Sequence, residues 1–163
     1  MNRGTRAHVC RLLVAVLFAA GTATGIAQGT DPAYGTWKLN LSKSKYSPGP
    51  APKELTLSIE AAGPGRKVAV TGVAGDGTPM SWGYSGNLDG KDIRVTGTNP
   101  DADVVMLKRV AANATRSTFK LAGKRTLVNG VSVSPDGKTL TVATSGVNAK
   151  GATVKNTQVF EKQ

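Results

Sequence analysis

Cysteine and histidine each occur once in the 163 residues, as Cys10 and His8, and both lie within the first 27. Beyond that point the chain cannot assemble a Ser-His-Asp or Cys-His catalytic group. It cannot build a zinc site from His and Cys, ligate haem through histidine or close a disulfide. Aromatic residues are 5% of the sequence, so bulky filler for an interior is scarce. Helical periodicity is almost absent after residue 27. No acidic array offers oxygen ligands at the alternate positions that a calcium loop requires. No metal or cofactor is expected, and the chain is not expected to be an enzyme. The basic residues are scattered rather than gathered in a stripe, and no reading motif accompanies them, so nucleic acid is not an expected partner.

The first 27 residues have the order of a secretory signal peptide. Arg3, Arg6 and Arg11 give a positive start, residues 12–20 are apolar or small, and Gly25, Ile26 and Ala27 supply small residues for cleavage. An apolar run of about 9–12 residues is too short for a bilayer, which needs roughly 20. The expectation is a periplasmic or secreted protein with no transmembrane segment after cleavage. Removing 27 of 163 residues leaves 136, enough for one domain with its own core. Three of the 21 basic residues leave with the signal and none of the 10 acidic ones, so the remaining charge is +8. Such a charge favours solubility and weak contact with an anionic envelope surface. A monomer is expected.

Residues 28–33 read as a short tail and 34–163 as the domain. Period-two alternation broken by Gly and Pro turns recurs through the domain. Strands are expected at 34–41, 55–60, 67–74, 80–85, 92–98, 103–110, 115–121, 124–134, 139–144 and 152–162. Asn129-Gly130 inside the eighth is also a hairpin signal; one strand with a bulge there is favoured. Residues 42–53 carry Pro48, Pro50 and Pro52 and cannot form a continuous helix. Asp76, Asp89, Asp101 and Asp136 sit in Gly- or Pro-containing turns, where Asp bonds its own backbone. Glu54, Glu60 and Glu161 belong on the solvent side. Short hairpin links imply an all-β antiparallel meander of eight to ten strands. Closure into an up-and-down barrel removes the two long unpaired edges that an open meander would leave.

Gly35-Thr36-Trp37-Lys38-Leu39 resembles the first strand of the fatty-acid-binding proteins. Asn156-Thr157-Gln158-Val159-Phe160-Glu161-Lys162 resembles their last strand. Ser134-Pro135-Asp136-Gly137-Lys138-Thr139-Leu140 resembles a stretch of small exported bacterial proteins of lipocalin type. The resemblance implies a ten-stranded barrel around a ligand, with Trp37 as a plug at the closed end and its strand pairing with the last. The carboxylate-binding Arg and Tyr of that last strand are replaced by Gln158 and Phe160, and Gln cannot reproduce the bidentate bonds of Arg. The Pro-rich 42–53 stands where the family has two portal helices. Arg125 matches another ligand-binding Arg of the family if Asn129-Gly130 is a turn; alignment through Pro135-Asp136-Gly137 puts Ser132 there instead.

The inward candidates are Met80, Trp82, Tyr84, Leu107, Phe119, Leu140, Val142 and Phe160, with Asn156 and Gln158 as polar groups among them. The expected ligand-binding set is Met80, Trp82, Tyr84, Leu107, Phe119, Arg125, Gln158 and Phe160. The expected function is an exported, non-catalytic barrel that holds an apolar or neutral small molecule. The alternative is an envelope module whose interior is packed shut and whose basic surface carries the function.

Overall fold

A computed structural model describes residues 31–163. The expected signal peptide, with Cys10 and His8, and the first part of the expected tail lie outside the described residues. The described chain is an antiparallel β-barrel of eleven strands. They are β1 (Gly35–Leu39), β2 (Glu54–Ala62), β3 (Gly65–Val73), β4 (Pro79–Gly86), β5 (Asp89–Arg94) and β6 (Thr96–Gly97). The rest are β7 (Val104–Ala111), β8 (Ala114–Leu121), β9 (Lys124–Val133), β10 (Thr139–Val147) and β11 (Thr153–Lys162).

Alternation decides which side of each strand faces inward. On β2, Leu55 and Ile59 are buried while Glu54 and Glu60 are exposed; on β3, Val68 and Val70 are buried while Lys67 and Thr71 are exposed. β1 pairs with β11 through Trp37 and Lys162, Lys38 and Glu161, and Leu39 and Phe160. The two ends of the chain are thereby joined, and the sheet has no edge there. Trp37 is fully buried and its Nε1 donates to the Ala33 carbonyl at 2.9 Å. The Lys162 ammonium stands 5.1 Å from the centre of its ring.

The remaining gap lies elsewhere, between β4 and β5. The expected fifth strand divides at the buried Val95: β5 pairs with β7, whereas the two-residue β6 pairs back onto β4. Ile93 fills the space beside the gap. A Cβ added to Gly86 would sit 2.6 Å from Ile93 Cδ1, so glycine is needed for that close approach.

The expected bulge is present in β9 but not at Asn129-Gly130, whose register is continuous on both sides. It falls between the Thr118–Val128 and Lys120–Arg125 pairs, so β9 carries the extra residue around Thr126 and Leu127. Side-chain period is two, so one extra residue turns everything before it to the other face. Leu127, Asn129, Val131 and Val133 share the inner side, and Arg125 lies opposite Lys120 on the outside.

Residues after β1 make one 3-10 turn, Leu41–Lys43, capped by Asn40 Oδ1 at 3.1 Å from the Lys43 amide. The Pro-rich segment then runs along β11 as an irregular strap. Lys45 bridges Thr157, the Lys155 amide donates to the Ser47 carbonyl at 2.7 Å, and Asn156 Oδ1 accepts the Ser47 amide at 2.9 Å. The strap reaches the turn after β3, where a Cβ on Gly75 would strike Pro50 and Ala51.

Candidate functional site

The barrel is open inside. A cavity of about 420 Å³ lies between two groups of buried side chains, one around Trp37, Leu140 and Phe160 and the other around Val105, Leu107 and Phe119. Its rim consists of the strap (Tyr46, Pro48, Pro50, Pro52), Ala74 and Gly75, the 99–102 loop and Asn148. The Ala149 amide donates to Asp101 Oδ1 at 2.8 Å and ties the last two of these together.

Of the eight residues expected from the sequence, seven line this cavity: Met80, Trp82, Tyr84, Leu107, Phe119, Gln158 and Phe160. Arg125 does not line it and is exposed, for the register reason given above. Trp82 and Phe119 meet edge to face, with ring centres 6.0 Å apart and planes at 84°; Tyr84 meets Phe119 at 6.4 Å and 68°. With Leu55, Leu57, Ile59, Val68 and Val70 of β2 and β3, these rings form one apolar wall.

Strands β8–β11 add a row of uncharged polar side chains among Leu127, Val131, Val142 and Val154, and most of that row was not expected from the sequence. Strand register places Ser117 of β8 beside Asn129 of β9, Asn129 beside Thr144 of β10, and Thr144 beside Asn156 of β11. All four line the cavity. Asn156 and Gln158 hold the strap: Asn156 through Ser47, and Gln158 by donating from Nε2 to the Tyr46 hydroxyl at 3.1 Å. Burial raises the Tyr46 phenol above its ordinary pKa, with the Gln158 bond opposing. The Asn129 Oδ1 atom is buried and has no hydrogen-bond partner. An orphaned acceptor of this kind costs about 1–3 kcal/mol unless a donor reaches it.

The floor holds the other unexpected group. Arg66, 4% exposed, opens the inward series Arg66, Val68, Val70 on β3 and lines the cavity. Its Nη2 donates to Asp31 Oδ2 at 2.5 Å, while its Nε has no partner. Arg109, an exposed residue near the C-terminal end of β7, donates to the same oxygen at 2.5 Å and to the Ala112 carbonyl at 3.0 Å. Burial alone would raise the Asp31 pKa. The Arg109 bond, the Ala33 amide and the charges of both arginines outweigh it and hold the carboxyl below its ordinary value. Burial also raises the Tyr84 phenol, against the opposing effects of Ser117 and the Arg66 charge. The burial alternation of β3 that takes in Val68 and Val70 extends to Arg66, one residue before the expected start of that strand.

Carboxylates are sparse on this surface. Asp101, at the rim, is the one carboxylate among the lining residues of the described chain. Asp76, Asp89 and Asp136 make the local turn bonds expected of them, to the amides of Thr78, Lys91 and Lys138. Glu161 faces out and binds Lys43 and Asn40.

No protein-family model and no curated protein matches the chain. Among solved structures it is similar to zebrafish ileal bile acid-binding protein complexed with cholic acid. That likeness has 9% identity and a TM-score of 0.45, over 81% of this chain and 99% of the other. It is also similar to a redesigned β-barrel, mFAP1, bound to DFHBI, at 13% identity and a TM-score of 0.40, over 80% of this chain and 95% of the other.

Proposed function

We propose that this chain is an exported, non-catalytic carrier that holds an apolar or neutral small molecule in its barrel, in the periplasm or outside the cell. The observation that carries the reading is the two-sided cavity. Its volume of about 420 Å³ falls within the range of small-molecule sites. One wall is aliphatic and aromatic. The other sets Ser117, Asn129 and Thr144 side by side in register among aliphatic side chains. A ligand that fits both walls has an apolar body and at least one O–H or N–H on one side.

Charge supports the neutral part of the reading. Arg66 already has a carboxylate, and the family-type Arg and Tyr of the last strand are Gln158 and Phe160. The protein acts as a monomer in this reading, with weak attraction to anionic envelope material as an accessory property of its basic surface. The rival reading, a packed-shut envelope module, requires a filled interior, and the cavity counts against it.

Native mass spectrometry of the protein isolated from the periplasm tests the proposal. Displacement of N-phenyl-1-naphthylamine by decan-1-ol tests it independently. A retained small molecule or saturable displacement is the expected result. The absence of both a mass shift and probe binding would overturn it.

A further inference from the structure

Arg66 is the one charged residue among the buried residues of the described chain, and its partner comes from far away in sequence. Asp31 lies 35 residues before it, in the tail that precedes β1. From Asp31 to Tyr34 the chain is folded into a turn. The Tyr34 amide donates to the Asp31 carbonyl at 3.0 Å, Trp37 Nε1 holds the Ala33 carbonyl, and the Ala33 amide donates to Asp31 Oδ1 at 3.0 Å. Asp31 approaches the floor from outside the cavity, whereas Arg66 forms part of its lining.

A guanidinium presents a fork of donors that matches a carboxylate in two parallel bonds. Asp31 takes one nitrogen of that fork from Arg66 and one from Arg109, and leaves Arg66 Nε buried without a partner. The carboxylate position opposite the cavity's buried cation is thus filled by the chain itself. A second carboxylate arriving from inside would meet the Asp31 charge next to its would-be anchor, and like charges that close disfavour each other.

We infer that Asp31 is a specificity-determining residue: an internal counter-ion that occupies Arg66 and sets the cavity for neutral rather than anionic ligands. Without it, Arg66 and Arg109 become an anion site at the barrel floor. The inference rests on the carrier reading for its biological meaning, but its charge switch is measurable by itself.

Asp31→Asn keeps the shape and removes the charge. Binding of 1-anilinonaphthalene-8-sulfonate, and the affinities of decanoate and decan-1-ol, are compared between this variant and the wild type. Asp31→Asn should bind the sulfonate and decanoate at least roughly tenfold more tightly, since each gains a charge-assisted bond, with decan-1-ol changed less than about twofold. The gain should vanish in Asp31→Asn/Arg66→Met. An unchanged ratio of decanoate to decan-1-ol affinity overturns the inference, as does a gain that persists without Arg66. Loss of the counter-ion leaves a buried charge and can unfold the variant. In that case refolding by decanoate is followed by circular dichroism, because a ligand that binds the native state drives folding. Refolding by decanoate and not by decan-1-ol supports the inference, and equal or absent refolding overturns it. A wild type that binds no neutral probe sinks the carrier reading, while the sulfonate comparison still decides the role of Asp31.

Discussion

Replacing Asn129 with Leu should make the barrel more stable and worse at its proposed task. Asn129 sits mid-wall on β9, flanked in register by Ser117 and Thr144, and its buried Oδ1 has no partner. Leaving a buried acceptor unsatisfied costs about 1–3 kcal/mol. The gain from an apolar replacement of similar size is taken at the low end of that range, about 1 kcal/mol. For a domain of this size that corresponds to a rise of about 3–4 °C in Tm, read by thermal unfolding without ligand. The cost falls on recognition. A ligand hydroxyl that turns the Asn129 amide toward the cavity can donate to it and an ether cannot, so the wild type should prefer decan-1-ol to 1-methoxydecane by about tenfold, equivalent to about 1.4 kcal/mol. In Asn129→Leu the two should bind equally. A variant that melts lower than the wild type, or that still prefers the alcohol, refutes the reasoning about this wall.

Three further outcomes follow from the packing and the charges. Trp37→Ala empties a fully buried site at the β1–β11 seam, removes the bond to Ala33 and strands the Lys162 contact; a loss of about 3–5 kcal/mol in chemical unfolding is expected. Phe119→Ala removes a ring that meets both Trp82 and Tyr84, so stability should fall by about 3 kcal/mol while the cavity admits bulkier displacers of the bound probe. The Asp31 carboxyl has a native pKa below its ordinary value, so its contribution is present above the unfolded pKa and is lost as pH falls through the native one. The stability difference between wild type and Asp31→Asn, measured by urea unfolding, should therefore be constant near neutrality and shrink below about pH 4. Asp76 and Asp136 are held low by turn bonds and Glu161 by Lys43 and Asn40, all of which both proteins share, so they cancel in that difference.

Much of the frame was legible because a half-buried strand writes its orientation into every second residue. Trp82 and Tyr84, or Leu140 and Val142, could be placed inward from alternation alone, and the pairing of β1 with β11 followed from the resemblance of the two ends. Two kinds of information were not local enough to read. A bulge is a difference of one residue between partners, so it exists only in the pairing of β9 with β8; nothing in Lys124-Arg125-Thr126-Leu127 announces it. Simple alternation through Leu127 and Asn129 would have turned Arg125 inward, and the extra residue turned it out. The split of β5 from β6 at Val95 is of the same type, since it depends on which neighbour each half finds.

The polar residues show a further reason. Apolar side chains at inward positions announce themselves, but Ser117, Asn129, Thr144 and Arg66 occupy equivalent positions and read as solvent-facing when taken one at a time. Only the register brings the first three into one row. Only the tail makes Arg66 tolerable, because a buried guanidinium needs a counter-charge, and the one it finds is 35 residues distant in sequence. Those four positions are where the chain departs from what an ordinary packed barrel needs. A barrel selected for stability alone would fill them with Val or Leu and dispense with Asp31. That the interior instead keeps an unmatched acceptor on one wall and a neutralised cation on the floor argues that its chemistry is set by what enters it.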